Sequence, residues 1–283
     1  ALFGIMTAML GSGTTTQMNA IVSSVNAGFG VSTYITCAIV TILVAIITFG
    51  GLQSISKTAS KIVPAMAVIY FIITVIFLIM NASEVPHAVS QVITGAFNGT
   101  AAAGGFAGAG LMLTIRSGIA RGLYSNESGL GSAPIVAAAA KTKWPAEQGL
   151  ISMTGTFIDT IIICTLTGLT IIVSGVWTGT TNGAEMTQSA FATTYGSLAP
   201  FILTISLTLF AFTTIIGWNY YGERCWEYLF GTKTIKLYRI GYIAILASAV
   251  FLKLEAIWSL ADIVNGLMAI PNLIALLGLS GVI

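Results

Sequence analysis

The sequence predicts an all-α integral membrane protein, and three observations carry the prediction. Hydrophobic residues fill 56% of the 283 positions and charged residues only 7%, where a soluble domain carries about 25% charged residues. Mean hydropathy is +0.94. Apolar runs of the length a crossing requires, about 20 residues, recur along the chain at 1–26, 31–52, 62–81, 101–122, 149–176, 197–218, 238–254 and 257–283. The seventh is short and the fourth is broken by glycines. No polar stretch between them is long enough for a soluble domain, so residues 1–283 read as a single transmembrane domain.

Charge supports that count. With eight crossings, the connections after the second, fourth and sixth runs share one side. They or the adjoining helix ends hold Lys57, Lys61, Arg116, Arg121, Lys141, Lys143, Arg224, Lys233, Lys236 and Arg239, against Lys253 alone opposite. The excess of Lys and Arg on the cytoplasmic side of membrane proteins then predicts a multi-pass cell-membrane protein with its basic loops in the cytoplasm. A net charge of +2 without a basic, aromatic-interleaved patch gives no footprint for nucleic acid. Cys37, Cys164 and Cys225 form no CxxC pair, and imply neither a disulfide framework nor a metal site. The chain begins in one apolar run and stops in another without an initiator Met, so it is expected to be part of a longer protein, incomplete at both ends.

Taken in order, the first run carries GSGTTTQMNAI. There Gly11 and Gly13 lighten the helix, while Thr14, Gln17 and Asn19 bring hydrogen-bonding groups to mid-membrane. Gln17 has two donors and an acceptor, enough to hold a carboxylate or an amine, or to bridge two helices. The second and third runs are plainly apolar, and SEVPHAVSQVITGAFN after them suits a short surface helix. The fourth run is interrupted by Gly104, Gly105, Gly108 and Gly110, which weaken helix and leave backbone groups unpaired. Such groups hold a small ion or a zwitterion, or else the glycines let helices pack closely.

A turn-rich link, RGLYSNESGLGSAP, follows. Gly129 and Gly131 supply its backbone freedom, Pro134 starts the next piece, and Ser125, Asn126 and Ser128 offer capping groups. The fifth run places Asp159 near mid-depth, as a cation ligand, a proton carrier or half of an ion pair. After the polar connection Thr178 to Leu198, the sixth run sets Thr213 and Thr214 about a turn above Trp218. Adjacent hydroxyls either face a hard cation or bond back to the preceding turn. Thr214 and Trp218 share a face, so the indole can close a small pocket. From Trp218 to Gly231 the sequence reads as an interfacial link, and in the last run Asp262 stands close to the amide of Asn265.

Enzyme chemistry lacks its parts. His87 is the single histidine and there is no HExxH, so zinc proteolysis and Ser/His hydrolysis are unsupported. No TVGYG-like carbonyl filter marks a selective channel.

RGLYSNESGLGSAP followed by AAAAKT, then GTFIDT, GWNYYGERCWEYLFG and NGLMAIPNLIALL, resemble the alanine/glycine:cation symporter family from end to end. The resemblance implies the leucine-transporter fold, an inverted-repeat bundle of which these eight runs look like core helices three to ten. It also implies import of small neutral amino acids such as alanine and glycine, with sodium as the coupled ion, no cofactor, and the lipid bilayer as surroundings. The family's first core helix carries a GTGNIAGVA-like motif that does not occur here, so this stretch should hold only part of the site.

Residue by residue, Gln17 and Asn19 match the family's QANSIA pattern, with Met18 and Ala20 replacing its Ala and Ser. Gln17 is thereby implied as a substrate contact and Asn19 as a possible site residue, beside Asp159, which its position within a span already makes a possible one. Gly105 and Phe106 match GGFAG at the break in core helix six and should face the amino acid. Thr213 and Thr214 match a Ser/Thr pair that completes the sodium site, with Thr214 also facing substrate and Trp218 closing the inner end. A channel, facilitator or sensor that keeps this fold without concentrating solute is the alternative.

Overall fold

The computed structural model describes residues 1–97, 107–179 and 183–281, and every regular element among them is helical. Gly104, Gly105 and Phe106, the core of the glycine interruption, lie outside the described residues. The helices are α1 (Leu2–Leu10), α2 (Thr15–Phe29), α3 (Thr33–Phe49), α4 (Gly51–Met80), α5 (Val85–Phe97), α6 (Ala107–Asn126) and α7 (Ala133–Ala137). After these come α8 (Pro145–Thr156), a π-helical turn (Phe157–Cys164), α9 (Thr165–Ser174), α10 (Gly183–Tyr195), α11 (Ala199–Phe230), α12 (Ile235–Ser248) and α13 (Leu254–Leu279). Among the described residues, five stretches are long and apolar enough to cross a membrane: Gly51–Met80, Pro145–Ser174, Gly183–Phe230, Thr232–Phe251 and Ala256–Leu279. Thr33–Phe49 is an apolar helix of 17 residues. The chain is thus a multi-pass membrane protein.

Several expectations change on the structure. The first apolar run is two helices, α1 and α2, with a break at residues 11–14. The sixth run continues to Phe230, so the expected interfacial link from Trp218 is helix. Its polar residues do not end it because Glu223 finds a partner within the bundle, and the stop comes at Gly231, whose φ of 77° leaves the helical region. Ser125 and Asn126, expected as capping groups in a link, belong to the end of α6 and bond to another helix instead. The turn itself follows, with Gly129 and Gly131 at φ of 80° and 91°.

The chain divides into two compact units. The first comprises Ala1–Val68, Ser128–Gln148 and Pro200–Ile283. In it α1 and α2 run antiparallel to α11 at backbone contact distance. A Cβ at Gly4 would lie 2.7 Å from Cys225 Sγ, one at Gly222 would lie 2.6 Å from Ala8 Cβ, and one at Gly13 would lie 2.5 Å from Trp218 Cβ. At the far end Gly28 meets the side chain of Thr204. Small residues are what such close approach needs, since packing rather than hydrophobic exclusion holds helices together in lipid. Ala8, Met18, Ile215, Ile216, Tyr238 and Tyr242 are completely buried around this seam.

The second unit comprises Ile69–Glu127 and Gly149–Ala199. Rings of Phe77, Phe191 and Tyr195 pack with centroids 5.5–6.2 Å apart, and Tyr70 lies 6.2 Å from Phe191. Tyr195 donates to Ile73 O at 2.6 Å, and Asn81 Nδ2 donates to Thr194 Oγ1 at 2.8 Å. These contacts explain why α10 is helix inside a connection that reads as polar loop: Phe191 and Ala190 give it a buried face.

Candidate functional site

The break in the first unit starts at Gly11, with φ −107° and ψ −139°, and the helix resumes at Thr15. Two glycines weaken the helix here and three consecutive threonines compete for its carbonyls, so the interruption has a local cause. All of residues 11–16 are buried. Backbone freed at membrane depth must be covered, and side chains do so. Thr14 Oγ1 donates to Ala8 O, Thr15 Oγ1 to Leu10 O at 3.4 Å, and Thr16 Oγ1 to Ser12 O at 3.2 Å. From α12, the Tyr242 hydroxyl shares its hydrogen between Ile215 O at 2.8 Å and Gly13 O at 3.1 Å. From α13, Asn265 Oδ1 accepts from Ser12 Oγ at 3.1 Å and Val264 O from Thr7 Oγ1 at 3.2 Å.

Gln17 is half-buried just past the break and donates Nε2–H to Ser12 O at 3.1 Å. Among the described residues its Oε1 accepts nothing, which leaves an acceptor beside the interruption. Trp218 is 2% exposed and rests its Cβ and Cγ on Gly13, with Tyr221 edge-on at 5.2 Å. Trp218 and the helix break bearing Gln17 are therefore one assembly. Thr213 and Thr214 stand one turn earlier on α11, half-buried. Thr213 Oγ1–H points back to Phe210 O at 2.9 Å and Leu209 O at 3.0 Å, and Thr214 Oγ1–H to Phe210 O at 3.0 Å. Back-bonding occupies each hydrogen and leaves the oxygen lone pairs. No hydrogen bond joins either threonine to Gln17 among the described residues.

Asn19 is half-buried on α2, and its side chain makes no hydrogen bond among the described residues. Asp159 belongs to the second unit, in the π-helical turn, where Ser125 Oγ donates to its Oδ2 at 2.8 Å. Gly105 and Phe106 are outside the described residues. Sequence reasoning missed Ser12 and Tyr242, and it set Asn265 beside Asp262, whereas Asn265 Oδ1 accepts from Ser12. GSG followed by three threonines was the available signal for a break, while Tyr242 sits in an apolar span with nothing local to mark it.

Charge gathers at the end of α11. Glu223 is 3% exposed and accepts from Arg239 Nε at 2.6 Å and Nη2 at 2.9 Å, a bidentate pair, and from Arg224 Nη2 at 2.8 Å. Arg239 Nη1 also reaches Phe49 O at 3.3 Å, tying α12 to α3.

The break is thus an interrupted, protein-covered helix with an indole seated on it. In comparison with known proteins, residues 1–283 match the sequence model of the sodium:alanine symporter family. The chain belongs to this family. Among relatives in the sodium:alanine symporter family, an uncharacterized transporter of Haemophilus influenzae is 51% identical over all of this chain and 62% of its own length. The sodium/alanine symporter AgcS of Methanococcus maripaludis is 44% identical, again over all of this chain and 62% of its own length. The probable sodium/glutamine symporter GlnT of Bacillus subtilis is 40% identical over 86% of this chain and 51% of its own length. The chain thus spans between about half and two thirds of these relatives.

Proposed function

We propose that this chain is the larger part of a sodium-coupled symporter that imports small neutral amino acids, alanine and glycine foremost, across the cell membrane by alternating access. The observation that carries the proposal is the covered helix break with Trp218 seated on Gly13 and Gln17 beside it, in a chain of this family. In this reading the fold is of the leucine-transporter kind, the eight apolar runs are core helices three to ten, and the basic connections are cytoplasmic. Gln17 and the Thr214 hydroxyl hold polar groups of the amino acid. Trp218 closes the inner end. The oxygens of Thr213 and Thr214 supply part of a sodium site whose remaining ligands come from the first core helix of the intact protein. The names of the relatives, alanine for one and glutamine for another, support an amino-acid substrate and leave its side chain to the pocket's size.

Sodium then does two things. Its charge offsets the substrate carboxylate, so each raises the affinity of the other by the same factor. It also couples transport to the membrane potential, worth about 2.3 kcal/mol per charge per 100 mV.

The test is uptake of labelled alanine into proteoliposomes holding the intact protein, with and without an inward sodium gradient and under a set potential. Accumulation that requires sodium is expected. Equilibration without concentration would replace this reading with a facilitator or channel.

A further inference from the structure

The second unit contains a polar cluster that the mechanism above does not use. At Phe157–Cys164 the helix widens to π geometry, in which backbone bonds run between residues five apart. In an α-helix, residues five apart point roughly 140° away from each other, so Asp159 and Cys164 would not face one neighbour. Here they do. Ser125 Oγ, from the end of α6, donates to Asp159 Oδ2 at 2.8 Å and lies 3.4 Å from Cys164 Sγ. Thr160 Oγ1 is 3.3 Å from the same Oδ2, and Asn126 Nδ2 donates to that hydroxyl at 3.0 Å. The π-turn thus gathers one carboxylate and two hydroxyls from two elements, and π-turns are frequent at functional sites.

Asp159 lies midway along Pro145–Ser174, a stretch long and apolar enough to cross a membrane, and forms no ion pair among the described residues. An intramembrane carboxylate with only neutral donors is costly unless a cation joins it. The donors are hard oxygens, and no group of three His, Cys, Asp or Glu occurs among the described residues, so the set suits an alkali cation rather than a thiolate- or imidazole-bound metal. A proton would need one carboxylate oxygen alone, whereas here two hydroxyl oxygens converge on it.

We propose that Asp159, Ser125 and Thr160 form a sodium-binding site in the second unit, additional to the Thr213/Thr214 pair of the first. This rests on the symport reading above. On binding, the two hydroxyls turn their hydrogens away and offer lone pairs, and the carboxylate supplies the balancing charge.

The experiment uses the intact transporter. Sodium ions moved per alanine are counted by isotope flux in proteoliposomes, and the rise in Tm on replacing potassium by sodium is followed without amino acid. The parent, Asp159→Asn, Ser125→Ala and Thr160→Val are compared. The expected result is one sodium fewer per alanine in Asp159→Asn and loss of most of the sodium-induced Tm rise, with alanine uptake still requiring sodium. The hydroxyl variants keep the carboxylate and should need several-fold more sodium for the same rise. Unchanged stoichiometry with an unchanged Tm rise in Asp159→Asn would overturn the proposal, as would a proton flux, lost in that variant, in place of the sodium ion. Should Asp159→Asn fail to fold, the hydroxyl variants decide by their sodium titrations. A parent that shows no sodium dependence overturns the symport reading as well, so the two failures are told apart by which protein shows them.

Discussion

At Gly13 a single methyl group has nowhere to go. Its Cβ would sit 2.5 Å from Trp218 Cβ and 3.0 Å from Ala8 O, and neither is the free end of a flexible side chain. Gly13→Ala should therefore cut sodium-driven uptake by more than about tenfold, equivalent to about 1.4 kcal/mol, measured per transporter reaching the membrane. Trp218→Ala in the same chain should not restore it, because alanine keeps the colliding Cβ. Alone, Trp218→Ala removes the indole and should raise competition by leucine against alanine by about tenfold or more, the scale of added methylenes in a closed pocket; unchanged competition would end the pocket role. Tyr242→Phe deletes the hydrogen shared by Gly13 O and Ile215 O. Leaving these carbonyls short of a donor should cost about 1–3 kcal/mol of stability, read as a lowered Tm in detergent. An amide in an apolar run and an i, i+4 pair are local signals, which is why the sequence could single out Gln17 and Trp218 as candidates. The seat of Trp218 on Gly13 and the reach of Tyr242 were not, because local periodicity does not say which distant helix faces which.

Elements show the same division. The glycines at 129 and 131 marked a turn, and the turn is there, since positive φ is a demand on one residue. The continuation of α11 to Phe230 was hidden because Glu223 looks like an interfacial residue until Arg239, 16 positions later, is seen to hold it. Likewise α10 was read as loop from its polar composition, and Phe191 packing against Phe77 makes it helix. The Glu223–Arg239 pair predicts an asymmetry. Arg239→Gln leaves Glu223 with Arg224, whereas Glu223→Gln leaves Arg224 with Glu227 but Arg239 with no carboxylate among the described residues. Breaking a buried pair costs about 3–5 kcal/mol. Thermal unfolding of the intact protein should therefore show a larger loss for Glu223→Gln, and a double variant less destabilised than the sum of the two. An additive result would mean that the pair holds α11 to α12 no more than its parts do.

On the scale of the whole molecule, composition alone separated this chain from soluble proteins, and five of the eight apolar runs fall on stretches that are long and apolar enough to cross a membrane among the described residues. What composition could not supply is coupling, which is a property of ions counted per cycle. With equal sodium on both sides and 100 mV inside negative, one coupled cation supports about 40- to 50-fold accumulation of alanine, and two support about 2,000-fold. The accumulation ratio at steady state thus counts the cations. Removing the oxygens at Thr213 and Thr214, as Thr213→Ala with Thr214→Val, should abolish sodium stimulation while the protein still reaches the membrane. Retained stimulation would move the principal ion site away from α11.

The seam between the broken helix and α11 has a mechanical consequence. It is pinned at Gly4 against Cys225, Ala8 against Gly222, Gly13 against Trp218 and Gly28 against Thr204, in antiparallel register over nearly the whole of both elements. Interlocked surfaces of this kind do not slide by fractions of a turn; they hold or they jump. On the symport reading, α1, α2 and α11 are one strut that should move as a piece, and spin labels at its two ends should keep their separation with and without sodium and alanine.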